Sequence, residues 1–361
     1  MIMFVGDELN EREKFVLGTI VEDFVAKATP IGSNYIAQKY NYPFSPATIR
    51  NVMMDLEEKG YAKQPHTSAG RVPTDKGYRF YVDSLMKIEN ISLEEKKKIF
   101  EGLKKVSQDI EYILEAASQT LANISNQLGV VLAPRFYQGI FDRMELVPLA
   151  ENRVLVIITI KSGLVKTITM ELEKSISRAT LQESVRILNE RLHGLTLKEI
   201  KNTIDKRVHD IAIGDSQLIE LFVKSSQSIF NFSTFSDLHI GGTANIMEQP
   251  EFTDQNMLRN IMDLLDNKEM LIQVFNRDVS TEAPELKRNE VAAHQIKITI
   301  GEENKKELIR YCSLITATYN LGNISGTIGL IGPTRMPYSK LVAVVDYMAD
   351  VLSKLFNPGE N

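Results

Sequence analysis

This sequence predicts a multidomain α+β protein, and three observations carry that prediction. Residues 9–73 hold three helix-type stretches followed by a short hairpin pattern. Residues 87–127 read as strongly charged helix. From Met144 onward, strand-type alternation mixes with helical stretches, and the chain closes on an amphipathic helix at Tyr338 to Phe356. The 361 residues suit two or three domains at roughly 100–200 residues each.

In chain order, Leu9 to Ala28 forms the first helix, with Phe15, Ile20, Phe24 and Val25 supplying much of its apolar face. Thr29-Pro30-Ile31-Gly32 breaks it. Ser33 can cap a short helix, Asn34 to Tyr40, and Asn41-Tyr42-Pro43-Phe44 turns the chain. The next stretch organises the rest. Ser45 is placed to cap a helix by accepting an orphan backbone N–H, and Pro46 suits the first helical position. Ile49, Val52, Met53 and Leu56 fall at i, i+3, i+4 and i+7, one apolar stripe. Gly60 ends the helix. At about 100° per residue, Ala47, Asn51 and Met54 point away from the stripe, with Thr48 and Arg50 on its flanks. A methyl, a hydroxyl, an amide and a guanidinium are the groups that read base edges in a major groove. Asp55, Glu57 and Glu58 would repel phosphates, so only the N-terminal half of the helix is expected to enter the groove.

Tyr61 to Gln64 reads as a strand, Pro65 to Gly70 as a turn and Arg71-Val72-Pro73 as the returning strand. Thr74 caps a further helix, Asp75 to Met86. Three helices and a hairpin give the winged helix-turn-helix order. Residues 59–81 carry five bases (Lys59, Lys63, Arg71, Lys76, Arg79) and one acid (Asp75), a local +4 in a chain of net charge −5. Such a patch alone is commonly a solvated face; beside a capped helix with a polar reading face it points to duplex DNA. The candidate DNA-facing residues are Ser45, Ala47, Thr48, Arg50, Asn51 and Met54 on the helix, and Lys63, His66, Thr67, Ser68 and Arg71 on the wing, Arg71 foremost. His66 could contact phosphate or be a plain turn residue.

The segments ATIRNVMMDLEEKG and PHTSAGRVPTDKGYRFYVD, with LHIGGTANIM and the PEF at Pro250 to Phe252, closely resemble the heat-inducible transcription repressor family HrcA, over nearly the whole chain. The resemblance implies a GAF-like α+β domain with a dimerisation domain inserted into it. It also implies an operator upstream of heat-shock and chaperonin operons, and the chaperonin as activity partner. Free chaperonin would help the repressor reach its DNA-binding form, and unfolded clients would compete it away under heat. On this frame residues 1–88 are the winged-helix DNA-binding domain, 89–143 and 236–361 the GAF-like domain, and 144–235 the inserted dimerisation domain.

Past the head, Gly102 and Ser107 suggest a break in the 87–127 helical stretch, and Leu128 to Pro134 reads as a buried strand. Three strands follow at Met144–Leu149, Arg153–Ile160 and Leu164–Leu172, then helices at Arg178–Leu192, Leu197–Ile211 and Gln217–Phe230. Strands are expected at Leu238–Gly242, Leu271–Phe275, Gln295–Ile300, Ile309–Tyr319 and Ile324–Ile331, a helix at Phe252–Asp266, and a loop at Asn276–Glu290.

Chemistry is hard to find. The five histidines lack metal-ligand spacing, and the single Cys312 lies in an apolar run as a small hydrophobe. No phosphate-binding loop signature or nucleophile elbow is present. Gly326, Gly329 and Gly332 sit in a strand, where close backbone packing explains them. These absences argue against an enzyme and call for no metal and no cofactor. No apolar run reaches ~18 residues, and MIMFVGDELNEREK is not a secretory signal, so a cytoplasmic protein without a membrane segment is expected. The sequence and its resemblance together point to a homodimeric repressor bound to an inverted-repeat operator in double-stranded DNA. Its rivals are a winged-helix regulator controlled by a small-molecule ligand in the GAF-like domain, and an interaction module whose winged helix binds protein.

Overall fold

The computed structural model describes residues 9–40, 44–67, 69–104, 110–150, 152–172, 177–208, 238–275 and 294–357. The turn expected at Asn41–Phe44, Ser68, His209, the helix expected at Gln217–Phe230 and the loop expected at Asn276–Glu290 lie partly or wholly outside them. The chain divides into two compact units. One comprises Met1–Leu132, Leu238–Thr318 and Thr327–Val351; the other comprises Ala133–Asp237, Tyr319–Gly326 and Leu352–Asn361.

The first unit opens with α1 (Glu11–Lys27), α2 (Ser33–Lys39) and α3 (Pro46–Glu58), then the hairpin β1 (Ala62–Lys63) and β2 (Val72–Pro73), then α4 (Asp75–Phe80), continued by a π-helical turn at Tyr81–Leu85. A capping box fixes the start of α1: the Asn10 side chain accepts from the Arg12 and Glu13 N–H groups, and the Glu13 carboxylate accepts from the Asn10 N–H. The buried face of α1 is Val16, Leu17, Ile20 and Val21. Phe15, Phe24 and Val25 are only half-buried, so the expected stripe is rotated by about one position. Ser33 does not cap α2. It is the first helical residue, and Gly32 is the cap, without a side-chain bond. The two helices are tied by the buried Asp23, which accepts from the Tyr35 and Tyr40 hydroxyls at 3.2 Å and pairs with Lys39.

After α5 (Leu93–Lys104) and α6 (Ile110–Ser125), β3 (Leu128–Leu132) enters a five-stranded sheet. The 87–127 stretch does divide into two helices, α5 and α6, and Ser107 lies outside the described residues, but Gly102 is not the break. It lies inside α5, where a Cβ would meet the Thr120 hydroxyl of α6 at 2.6 Å. The sheet takes in β7 (Leu238–Gly241), β8 (Ile296–Ile300), β9 (Cys312–Leu321) and β10 (Ile324–Pro333), in the order β7-β3-β10-β9-β8. The β3 pairings to β7 and β10 are antiparallel, as is β8 to β9. Its core gathers Leu128, Val130, Leu132 and Ile331 with Ile261, Leu264, Leu271 and Phe275. Leu271 to Phe275, expected as a strand, is instead the end of a helix, Lys268–Phe275. The Asn267 side chain accepts the Met270 N–H at its start, and Leu271, Val274 and Phe275 form a helical stripe into the core. The helix before it runs Gln255–Asp266, capped by Asp254. Gly326, Gly329 and Gly332 do lie within β10, where Cβ atoms would overlap the Tyr319 ring, the Ile315 carbonyl and the Gln127 side chain respectively. The closing helix is Tyr338–Phe356.

The second unit holds the meander β4 (Phe141–Ala150), β5 (Arg153–Ile160) and β6 (Val165–Glu171), followed by α7 (Arg178–Leu192) and α8 (Leu197–Val208). Alternation along β5 buries Val154, Val156, Ile158 and Ile160. Asn189 of α7 fastens that helix to β4, accepting the Met144 N–H at 2.8 Å and donating to its carbonyl at 3.0 Å. On the opposite face Leu155 and Ile157 are half-buried, and Val147 and Val165 are exposed. Among the described residues no helix is long and apolar enough to cross a membrane, and no cluster of His, Cys, Asp or Glu could hold a metal ion.

Candidate nucleic-acid interface

The first turn of α3 is built as its residues dictate. Ser45 has extended backbone, and its Oγ accepts the Thr48 N–H at 3.2 Å, with Pro46 opening the helix. The Thr48 hydroxyl lies 3.0 Å from the same Oγ, so the two hydroxyls share a bond at the helix start. Gly60 follows the last turn at φ +77°, a left-handed backbone that glycine adopts without strain. Ile49, Met53 and Leu56 are buried and Val52 half-buried. Ala47, Arg50 and Asn51 are exposed, and so is Met54 at 47%. Thr48 is half-buried. The outward face read from periodicity is therefore the outward face of the folded helix.

The β1–β2 hairpin, the expected wing, is held by side chains that charge counting overlooks. Gln64 donates to the Thr67 and Ala69 carbonyls at 3.0 and 2.9 Å, closing the turn from inside. The Gln64 N–H in turn donates to Glu57 of α3 at 3.1 Å. Ile31 and Arg71 exchange backbone bonds of 2.9 and 2.8 Å, which extends the hairpin by a third short segment. Gly70 is needed there, because a Cβ would run into the Ile31 carbonyl. Lys63, His66 and Thr67 are exposed at the tip.

Arg71 is placed differently from a phosphate-seeking wing residue. Its Nη2 lies 2.8 Å from Glu57 Oε2, and its side chain is only 12% exposed. Lys59 and Arg79 of the +4 stretch are drawn inward in the same way, while Lys63 and Lys76 stay exposed. Lys59 pairs at 2.8 Å with Glu13, whose side chain is 4% exposed. Burial pushes the Glu13 carboxyl up, but hydrogen bonds from Lys59 and the Asn10 N–H outweigh it and leave it below the usual range. Lys76 donates to the Lys59 carbonyl at 2.8 Å and sits 4.3 Å over the Tyr61 ring. Arg79 binds Glu303 and Asp83. The acids that meet Lys59, Arg71 and Arg79 come from outside residues 59–81, so a count along the segment cannot see them. One base outside the segment does sit by α3: exposed Arg12 stacks over the Phe44 ring at 4.4 Å, just ahead of Ser45. No short-range signal in the sequence marks Arg12, Gln64 or Glu57 for these positions.

Residues 111–342 match the family described as HrcA protein C terminal domain. Two curated relatives carry the name heat-inducible transcription repressor HrcA. The protein of Chlorobium phaeobacteroides (strain BS1) is 41% identical over 350 residues, 96% of this chain and 98% of the relative. That of Chlorobaculum parvum is 43% identical over 352 residues, 96% of this chain and 97% of the relative. A crystal structure of a hypothetical protein at 2.2 Å resolution shares the fold, with a TM-score of 0.57 and 23% identity over 97% of this chain and 99% of that one.

Proposed function

This chain belongs to the heat-inducible transcription repressor HrcA family, one of transcription repressors rather than enzymes, and we propose that it acts as a homodimer on an inverted-repeat operator of heat-shock and chaperonin genes. The observation that carries the reading is the capped N-terminal half of α3, with Ala47, Arg50, Asn51 and Met54 presented to solvent. We take residues 1–88 as a winged-helix DNA-binding domain. The N-terminal half of α3 enters the major groove, and Lys63, His66 and Thr67 at the wing tip lie along the backbone or adjacent minor groove. Ser45 and Thr48 shape the helix start, and Ser68 is proposed as a further DNA contact. Arg71 then acts mainly by holding the wing to α3.

Two such heads about a two-fold axis read an inverted repeat, and the bound dimer excludes polymerase. The remainder divides into a GAF-like domain, 89–143 and 236–361, and an inserted dimerisation domain, 144–235. The exposed apolar positions Val147 and Val165, beside Leu155 and Ile157 on one sheet face, support assigning dimer contacts to that insert. Chaperonin binding maintains the active form in the cytoplasm, and unfolded clients withdraw it under heat.

A second reading, control by a small ligand, is favoured by one feature: a hollow of about 360 Å³ lined by Ile88, Ile91, Ile296, Val342 and Tyr347, with Asp346 at its wall. Footprinting on the protein's own chaperonin promoter tests the main reading. Protection of both arms of an inverted repeat, strengthened by added chaperonin, is expected. Protection that appears only with a small molecule, and is indifferent to chaperonin, would favour the second.

A further inference from the structure

Two arginines fasten the N-terminal head to the sheet within the first unit, at two separated places. Arg79 of α4 donates from Nε to Glu303 Oε1 at 2.7 Å and from Nη2 to the Ile298 carbonyl of β8 at 2.7 Å, and its side chain is 17% exposed. Arg335, after β10, donates from Nη1 to the Val25 carbonyl near the end of α1 at 2.8 Å, and from Nη2 to Glu251 at 3.2 Å; its side chain is 12% exposed. Between these points lies an apolar seam, where the buried rings of Tyr78 and Tyr338 sit 5.9 Å apart. The Tyr338 hydroxyl is fixed by Ser313 at 2.6 Å and the Thr334 carbonyl at 2.7 Å. A third contact is specific in shape. The Asp75 carboxylate accepts the Glu302 N–H at 2.9 Å over Gly301, which is at φ +53°, and a Cβ on Gly301 would overlap that carboxylate.

A planar guanidinium with several fixed acceptors sets an orientation as well as a distance. Buried ion pairs add little net stability but can select one arrangement over others. Arg79 reaches Glu303 from α4, while Arg335, held by Glu251 on the sheet side, reaches the Val25 carbonyl of α1, and two such attachments resist rotation of the head about either one. The docking leaves the outward face of α3 exposed, so it does not block DNA. Its consequence is geometric.

We propose that Arg79–Glu303 and Arg335–Glu251 are positioning pairs that hold each head in one orientation on its sheet and so set the half-site spacing the dimer accepts. The proposal rests on the operator-binding reading above. A head on a loose tether would tolerate altered spacing; a docked head would not, because each inserted base pair turns one half-site by about a tenth of a helical turn.

The test uses the full-length protein and an operator series whose half-sites are separated by zero, two or five extra base pairs. Wild type is expected to lose about 100-fold in affinity at five. The double variant Glu303→Gln/Glu251→Gln should lose less than about 10-fold, with an unchanged ratio of single half-site to scrambled duplex. Arg79→Met should flatten the profile as well, and Arg79→Lys, which keeps the charge but not the fork, should recover part of it. An unchanged spacing profile in the double variant overturns the proposal.

A DNA-free readout separates failure here from failure of the repressor reading. Spin labels at Glu58→Cys and Tyr311→Cys, in protein diluted with unlabelled chain, should give one narrow distance that broadens when both glutamates are changed. A narrow distance in the double variant overturns the docking. A narrow wild-type distance that broadens in the double variant, in a protein that binds operator and scrambled duplex equally, overturns only the repressor reading.

Discussion

On α3 the side chains that helical periodicity points outward are the ones left exposed, whereas along residues 59–81 the charges that a count adds up are mostly engaged elsewhere. The two segments adjoin and were read by equally simple rules. The helix rule is local: a cap, a proline and a stripe at i, i+3, i+4 and i+7 fix which way Asn51 faces, whatever the rest of the chain does. The charge rule omits partners distant in sequence. Glu13 lies 46 residues before Lys59, and Glu303 lies 224 residues after Arg79. A basic run is a DNA-facing patch only once its acids have been located, and here Lys63, Lys76 and the hairpin tip remain its exposed part.

The largest expected effect would break the comparison at Lys59. Lys59→Met leaves Glu13 buried without its cation and should destabilise the protein by about 3 kcal/mol at pH 7. In the wild type Glu13 sits below its ordinary value, so its contribution is present above the unfolded pKa and is lost as pH falls through the lowered one. In the variant only the Asn10 N–H opposes burial, so the carboxyl rises relative to the wild type and the deficit should shrink on acidification. Urea titrations at pH 7 and near pH 4.5 measure both. A loss equal at the two pH values would show that Lys59 does not hold a buried carboxylate.

Asn51→Ala comes next, at roughly 1–3 kcal/mol for its cognate base pair, with relaxed preference there and little change elsewhere. Operator variants scanned base pair by base pair would reveal it, and an unaltered preference would remove Asn51 from base reading. Arg71→Ala sharpens the contrast most finely. Read from sequence, it weakens all DNA about equally and flattens the salt slope by about one unit. Seated against Glu57, it should instead cost about 1 kcal/mol of stability, as a lost hydrogen-bonded pair does, and leave the slope unchanged. A slope flatter by one unit would return Arg71 to the phosphates.

Much of the architecture was legible because its signals were short-range. The caps at Ser45 and Thr74, the alternation of β5 and the extent of α7 all follow from neighbouring residues. Misreadings arose where a tertiary partner decides. Leu271 to Phe275 has strand composition but becomes helix, because Asn267 caps it and three of its side chains share one core. Gly102, a plausible breaker, is used to let α6 approach α5 closely. Arg71 and Arg79 look like solvent-facing bases until Glu57 and Glu303 are placed beside them. The outward face of α3 was thus available from the sequence, and the contacts that hold the helix in place were not.

The central claim is that the exposed face of α3 reads an operator, and fluorescence anisotropy tests it most directly. A labelled inverted-repeat duplex from the protein's own chaperonin promoter would be compared with a scrambled duplex across a salt series, with and without chaperonin. Tight, sequence-dependent binding that weakens steeply with salt, and that Asn51→Ala reduces on the operator alone, is the expected result. Equal affinity for both duplexes, even with chaperonin present, would contradict it.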